Sequence, residues 1–249
     1  MKLSRLLVVS LAVLLVSASV SQASQIKINF ADNNYNGTPA GWNYIPGTKS
    51  AVLNSTTSLF DTNLTPTDIT MKVTDAFGYV SSGRGQATQI PDADFPVGVS
   101  ISYAADNASS GRDSLAILTF LSPNQYTFSY KILSSYNYNN PSSAQGYFNV
   151  GGTWVNTTTG FSGGSTIILD AAKLQGGQRY DIGQLIGIQS LWDGTQYVTS
   201  LQMGMKGTTG VYLNGLIIDI VPEPATMSLL GLGVLGVMMS LFYCNIVGV

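Results

Sequence analysis

Between residues 24 and 221 the chain is written in period two, and this constrains its fold more than any other feature. Ile26, Ile28 and Phe30 alternate with polar residues, and so do Ile69, Met71 and Val73. The same alternation links Val97, Val99, Ile101 and Tyr103, then Tyr126, Phe128, Tyr130 and Ile132. Residues two apart share one face of a pleated strand, so each run describes a strand buried on one side. Residues 115–121 are largely apolar on both faces, as expected of a central strand covered on each side. Residues 165–169, 184–188, 201–205 and 215–221 are further strand candidates. Gly151-Gly152, between Phe148-Asn149-Val150 and Thr153-Trp154-Val155, has the permissive backbone of a tight two-residue hairpin. No stretch of this region carries a sustained helical period. About ten short strands separated by turn residues predict an all-β sandwich or barrel.

The two ends differ from this middle. Lys2 and Arg5 precede an apolar stretch over residues 6–16, and small residues follow, with Ser21-Gln22-Ala23 as the expected cleavage site of a secretory signal peptide. That apolar stretch is about half a bilayer long, too short for a spanning helix. At the other end, Pro222-Glu223-Pro224 leads into residues 227–249, which carry no charge and are long enough to cross a membrane as a helix. The expected organisation is a signal peptide over 1–23, one β-sandwich domain over 24–220, and a sorting and anchoring tail over 221–249. Two loops, around Tyr136–Ser143 and 156–164, are too short to divide the middle, and no fixed-period repeat is present.

The tail resembles the PEP-CTERM sorting signal of Gram-negative envelope proteins, in which a Pro-Glu-Pro triplet precedes a Gly-rich apolar helix. Pro222, Glu223 and Pro224 with Gly231, Gly233 and Gly236 carry the resemblance. It implies an exosortase-type membrane enzyme as processing partner. The protein would then be an inner-membrane-anchored intermediate before reaching the cell surface or extracellular matrix. Such signals normally close on arginine or lysine, which hold a segment in the membrane from the cytoplasmic side. Here the last residues, Cys244 to Val249, are uncharged, so inefficient sorting is expected.

Composition removes several function classes. There is no histidine, which excludes a Ser-His-Asp triad, a Cys-His pair and imidazole zinc sites. For the same reason Gly111-Arg112-Asp113-Ser114-Leu115 does not make an esterase nucleophile. A net charge of −2 with no basic cluster gives nucleic acid no electrostatic footprint. The single cysteine, Cys244, lies in the tail, so the exported domain forms no internal disulfide. Its stability must come from its buried core. The carboxylates are twelve aspartates and one glutamate, the latter Glu223 in the tail. Asp92 with Asp94, or Asp106 with Asp113, are the pairs that an aspartate-only glycosidase would use. Loop aspartates more often cap turns, however. Asp92-Ala93-Asp94 has the spacing of a simple calcium loop but lacks that loop's glycine and later acidic ligand. No cofactor, catalytic residue or metal set is assigned.

The aromatic residues remain. Three tryptophans, Trp42, Trp154 and Trp192, and thirteen tyrosines are available either to fill the core or to stack on sugar rings. Trp154, inside a strand, reads as packing. Trp192-Asp193-Gly194 and Tyr136-Asn137-Tyr138-Asn139 are loops, which makes Trp192, Asp193, Tyr136, Tyr138 and Asn139 the candidate carbohydrate contacts. Segments in the order Ile28-Asn29-Phe30, Thr38–Asn43, Val73–Phe77, Arg112-Asp113-Ser114, Tyr126-Thr127-Phe128 and Tyr212–Leu216 resemble secreted bacterial jelly-roll domains of the galactose-binding-like and malectin-like kind. That resemblance implies an antiparallel two-sheet sandwich and no mechanism. The sequence therefore predicts an exported, non-enzymatic envelope or matrix protein in contact with exopolysaccharide. The rival readings are an aspartate-dependent polysaccharide-modifying enzyme and a purely structural surface protein.

Overall fold

The alternating runs fold as strands of two facing sheets in a computed structural model. It describes residues 24–31, 38–46, 55–74, 79–81, 93–96, 99, 103–105, 115–136, 145–156, 158–170, 180–206 and 211–222. The expected signal peptide (1–23) and the tail beyond Pro222 lie outside these residues. In chain order the strands are β1 (Ser24–Ala31), β2 (Asn43–Pro46), β3 (Thr56–Phe60), β4 (Pro66–Thr74), β5 (Tyr79–Ser81), β6 (Tyr103–Ala105), β7 (Leu115–Ser122) and β8 (Tyr126–Tyr136). They continue as β9 (Gln145–Val150), β10 (Thr153–Asn156), β11 (Gly160–Ser162), β12 (Ser165–Asp170), β13 (Tyr180–Gln189), β14 (Leu191–Trp192), β15 (Tyr197–Lys206) and β16 (Val211–Pro222).

Sheet A runs β13-β8-β16-β1-β2, with β6 beside β16 and β5 beside β6. Sheet B runs β12-β9-β15-β7-β4-β3, with β14 beside β15. The described registers are antiparallel apart from β1–β2, which is parallel. Eight of these strands, β1, β7, β8, β9, β12, β13, β15 and β16, reproduce the jelly-roll plan. One sheet places the sixth, third, eighth and first of them side by side, and the other the fifth, fourth, seventh and second. Apart from β9 and β12, which pair in one sheet, successive strands of the eight therefore cross from sheet to sheet, and their connections gather at the two ends of the sandwich. The fold class expected from the sequence is the one found.

Between the sheets lies a single apolar layer. Sheet A contributes Ile26, Ile28, Phe30, Phe128, Tyr130, Ile132, Leu216, Ile218 and Ile220, the inward half of each period-two run. Sheet B supplies Ile69, Met71, Val73, Leu118, Phe120, Phe148, Leu201 and Met203. Phe128 and Tyr130 stack at 6.0 Å, and Phe120 packs on both from the opposite sheet. β7 is central, as its composition implies, lying between β15 and β4.

Two expectations are corrected. The alternation from Val97 to Tyr103 does not form one strand. Val99 instead donates its backbone N–H to the Pro96 carbonyl at 2.9 Å and, with Phe95 and Trp42, covers Leu133 and Ile217 on the outer face of sheet A. Lys131 fixes this cover, pairing with Asp94 at 2.7 Å and lying 5.7 Å from the Phe95 ring centroid. The second correction is at Gly151-Gly152, where β9 and β10 do not make a hairpin. Both edges of β9 are already occupied, by β12 and β15, so no ladder is open to β10. Gly151 turns the chain away at φ +77°, and β10 pairs with β11 as a separate two-stranded sheet.

Candidate functional site

One end of the sandwich gathers the turn between β3 and β4, the turn between β7 and β8, and the loop from Ser190 to Tyr197. β1 begins and β16 finishes at the same end, with Ser24 opposite Ile220. The loop is anchored from beneath. Ser190, buried, accepts the Tyr126 backbone N–H on its Oγ at 3.0 Å and donates that hydroxyl to the Tyr126 carbonyl at 3.0 Å. β14 then pairs with β15, placing Leu191 opposite Val198 and Trp192 opposite Tyr197.

Asp193 shapes the turn that follows. Its Oδ1 accepts the backbone N–H groups of Thr195 (2.8 Å) and Gln196 (2.9 Å) and the Thr195 hydroxyl (2.8 Å). Those bonds hold the carboxyl below the usual carboxylate range, the Gln196 backbone bond contributing most. With one oxygen committed three times, Asp193 acts as a turn cap. Trp192 is 56% exposed, and its indole meets the Tyr197 ring edge-on at 5.2 Å and 62°.

Beside this aromatic pair is a polar cluster that the sequence did not single out. Tyr197 is in register with Ser122. The Ser122 hydroxyl donates to Asp68 Oδ2 at 3.3 Å, and Asn124 Nδ2 donates to the same oxygen at 2.6 Å. Tyr126 donates its hydroxyl to both Asp68 oxygens, at 2.9 and 3.0 Å. Burial first, and then the Asp68 carboxylate, push the Tyr126 phenol up to about 12. One short stretch, residues 122–126, thus supplies all three donors to a carboxylate more than 50 residues away in the sequence.

The remaining candidate contacts are not joined to Trp192. Tyr136 ends β8, whose first residue, Tyr126, lies at the Trp192 end. The 11 residues of this strand, rising roughly 3.3 Å per step, separate the two by about 33 Å. Tyr138 and Asn139 lie outside the described residues, as do Ala23, Glu223, Pro224, Asp92, Asp106 and Asp113. Pro222 is the last residue of β16. Trp154 packs on Tyr147 (5.8 Å) and Phe161 (4.9 Å) over the outer face of sheet B, as its place in a strand implies.

The arrangement at the Trp192 end combines a flat apolar ring, a second ring edge and a carboxylate held by neutral donors. A hydroxylated ring needs a face for its C–H side and acceptors or donors for its rim. Among the described residues, no group of three or more potential metal ligands comes together. Among the other described carboxylates, Asp61 caps its own turn, Asp170 accepts Gln145, and Asp219 accepts Gln25 across the β1–β16 ladder.

No curated protein matches the chain. Among solved structures it is similar to TmCBM61 in complex with beta-1,4-galactotriose, at 7% identity and a TM-score of 0.33, covering 61% of this chain and 88% of that one. It is also similar to the enzymatically active domain of bacteriophage CBA120 tailspike protein 4, at 10% identity and a TM-score of 0.28, covering 62% of this chain and 19% of that one. Neither likeness is close enough to bear on what this chain binds. The model of the PEP-CTERM protein-sorting motif matches residues 221–240, spanning the triplet and the Gly-rich start of the apolar run. This chain therefore carries a PEP-CTERM sorting motif, the mark of an exported protein that exosortase processes at its C-terminal end.

Proposed function

We propose that this protein is a non-enzymatic component of the cell surface or extracellular polysaccharide matrix that binds saccharide through the Trp192 end of its sandwich. In this reading the signal peptide is removed after Ala23, and the apolar tail holds the protein in the membrane until the exosortase-type enzyme acts near Pro222-Glu223-Pro224. The observation that carries the binding function is the exposed Trp192 indole beside Tyr197, at the same end of the sheet as the Asp68 carboxylate, which is reached through Ser122, in register with Tyr197. A half-exposed tryptophan held edge-on by a tyrosine is a rigid apolar surface, and such surfaces orient ligands at little entropic cost. Asp68 can accept hydroxyl protons while its neighbours fix its orientation.

Binding is preferred over glycoside hydrolysis because hydrolysis needs two carboxyl groups about 5–10 Å apart. The partners found here around Asp68 are neutral: a tyrosine, an asparagine and a serine. The test is retention of the full-length chain on immobilised exopolysaccharide and on a glycan array, compared with Trp192→Ala and Asp68→Ala. Selective binding that both substitutions weaken supports the proposal. Binding that neither touches, or release of reducing ends from the polysaccharide, would overturn it.

A further inference from the structure

The two-stranded sheet β10–β11 lies over the outer face of sheet B with no ladder bond to it. Its hold is by side chains. The Trp154 ring covers Gly204 of β15, and the Tyr147 ring lies against Gly160. Gly152 and Gly164 close around the Asn149 amide. Beneath this cover are three polar atoms, buried and without a hydrogen-bond partner: Asn149 Nδ2, Gln202 Oε1 and Trp154 Nε1. Two of them, on Asn149 and Gln202, are neighbours by register, and the third belongs to a ring seated two residues along. Asn149 stands directly opposite Gln202, and Gly204, under Trp154, is two residues further along the same strand and face.

Leaving one such group unsatisfied costs roughly 1–3 kcal/mol, so three in one place call for a bound polar partner. Asn149 is fully buried, and its Oδ1 is already taken by the Thr166 hydroxyl at 2.8 Å, which leaves the amide N–H groups to be met. The set offers donors from an amide and an indole and one amide acceptor. A hydroxyl group complements it, because its oxygen accepts while its proton donates. None of the three side chains is charged, which favours a neutral ligand over an ion.

We propose that β10–β11 and the outer face of sheet B enclose a second saccharide subsite, in which Asn149, Gln202 and Trp154 recognise hydroxyl groups. Trp154 serves there as a donor and not as a stacking platform, since Tyr147 and Phe161 pack against its ring. Entry needs only the side-chain contacts of the small sheet to part, since no ladder has to break. The subsite is separate from the Trp192 end and stands or falls without it.

The protein's three tryptophans allow the two sites to be read independently in one experiment. The full-length chain, labelled with 15N at its indole nitrogens and asparagine side-chain amides and held in detergent, is titrated with neutral oligosaccharides of glucose, galactose and mannose. A saturable shift of the Trp154 indole signal supports the subsite, and a shift of the Trp192 signal alone supports only the end site. Trp154→Phe keeps a ring over Gly204 but removes the donor, and Gln202→Leu removes the acceptor. Each is expected to weaken binding reported at the Asn149 side-chain amide by about tenfold, the effect of losing one hydrogen bond of about 1.4 kcal/mol. If no sugar moves the Trp154 signal, or if these atoms hold an ordered water that no sugar displaces, the subsite does not exist.

Discussion

Tyr126, the first residue of β8 in sheet A, donates its hydroxyl to both oxygens of Asp68 on β4 in sheet B, at 2.9 and 3.0 Å. The two are 58 residues apart, and the bond ties the sheets together where the Trp192 loop sits. Asn124 and Ser122 add to the same carboxylate, so the floor of the candidate site is also a clasp between the sheets. A group in that position would link stability to the proposed binding.

The clasp gives a pH signature. The folded-state pKa of Tyr126 is raised from 10.0 to about 12, so the fold favours the protonated phenol. The stability this contributes is complete below pH 10 and is lost as pH rises from about 10 to about 12. Thermal melts across that window should fall more steeply for the parent than for Tyr126→Phe, which has no phenol to ionise there. Equal slopes would show that Tyr126 ionises as it does in the unfolded chain.

Asp68→Ala should reveal the structural half of the clasp. It removes the acceptor for three side-chain donors, and the expected loss is on the order of 1–3 kcal/mol in urea unfolding of the full chain. The phenol titration, followed by ultraviolet absorbance, should also move downward, because the carboxylate is one of the causes of its elevation. An unmoved titration would leave burial as its sole cause.

Trp192→Ala separates a ligand surface from a core residue. Full burial of a tryptophan makes its truncation cost about 3–5 kcal/mol. At 56% exposure, and with Tyr197 as its one described ring contact, Trp192 should cost about 1 kcal/mol or less, a few degrees in melting temperature. A drop approaching that of a core tryptophan would place it in the packing.

Gly204→Ala probes how closely β10–β11 is seated. The added Cβ would meet three atoms of the Trp154 ring, so the ring must move or the sheet must lift. Overpacking of this kind costs about 1–3 kcal/mol. The loss should be smaller when Trp154→Ala is made first, a coupling that a double-mutant cycle measures. Additive losses would mean that the two residues do not touch.

The sorting motif begins on the fold itself, because β16 runs through Pro222 and lies between β8 and β1. Proline has no N–H to donate, and so it suits the end of a strand. Glu223→Ala should lower the fraction of protein processed and released in a host carrying the matching enzyme, without changing the melt of the domain. Unchanged release would make the segment from 221 to 240 a plain anchor.

The strands were legible in the sequence because inward burial imposes period two locally, and no distant partner is needed to see it. Ile26, Ile28, Phe30 and Phe128, Tyr130, Ile132 alternate whichever strands they pair with, and the sorting motif is likewise a contiguous word. Pairing was not legible. Whether Gly151-Gly152 closed a hairpin depended on β12 and β15 having already taken both edges of β9, and neither strand is local to that Gly-Gly pair. The period of Val97–Tyr103 failed because a local turn over Leu133 and Ile217 buried Val99 as well as a strand would have done. The site divides in the same way. Trp192 stood out as an aromatic in a polar loop, whereas nothing in the sequence singled out Asp68. Only the pairing of β4 with β7, whose turn leads into β8, brought Ser122, Asn124 and Tyr126 onto its carboxylate, since hydrogen bonds reach about 3 Å in space whatever the distance along the chain.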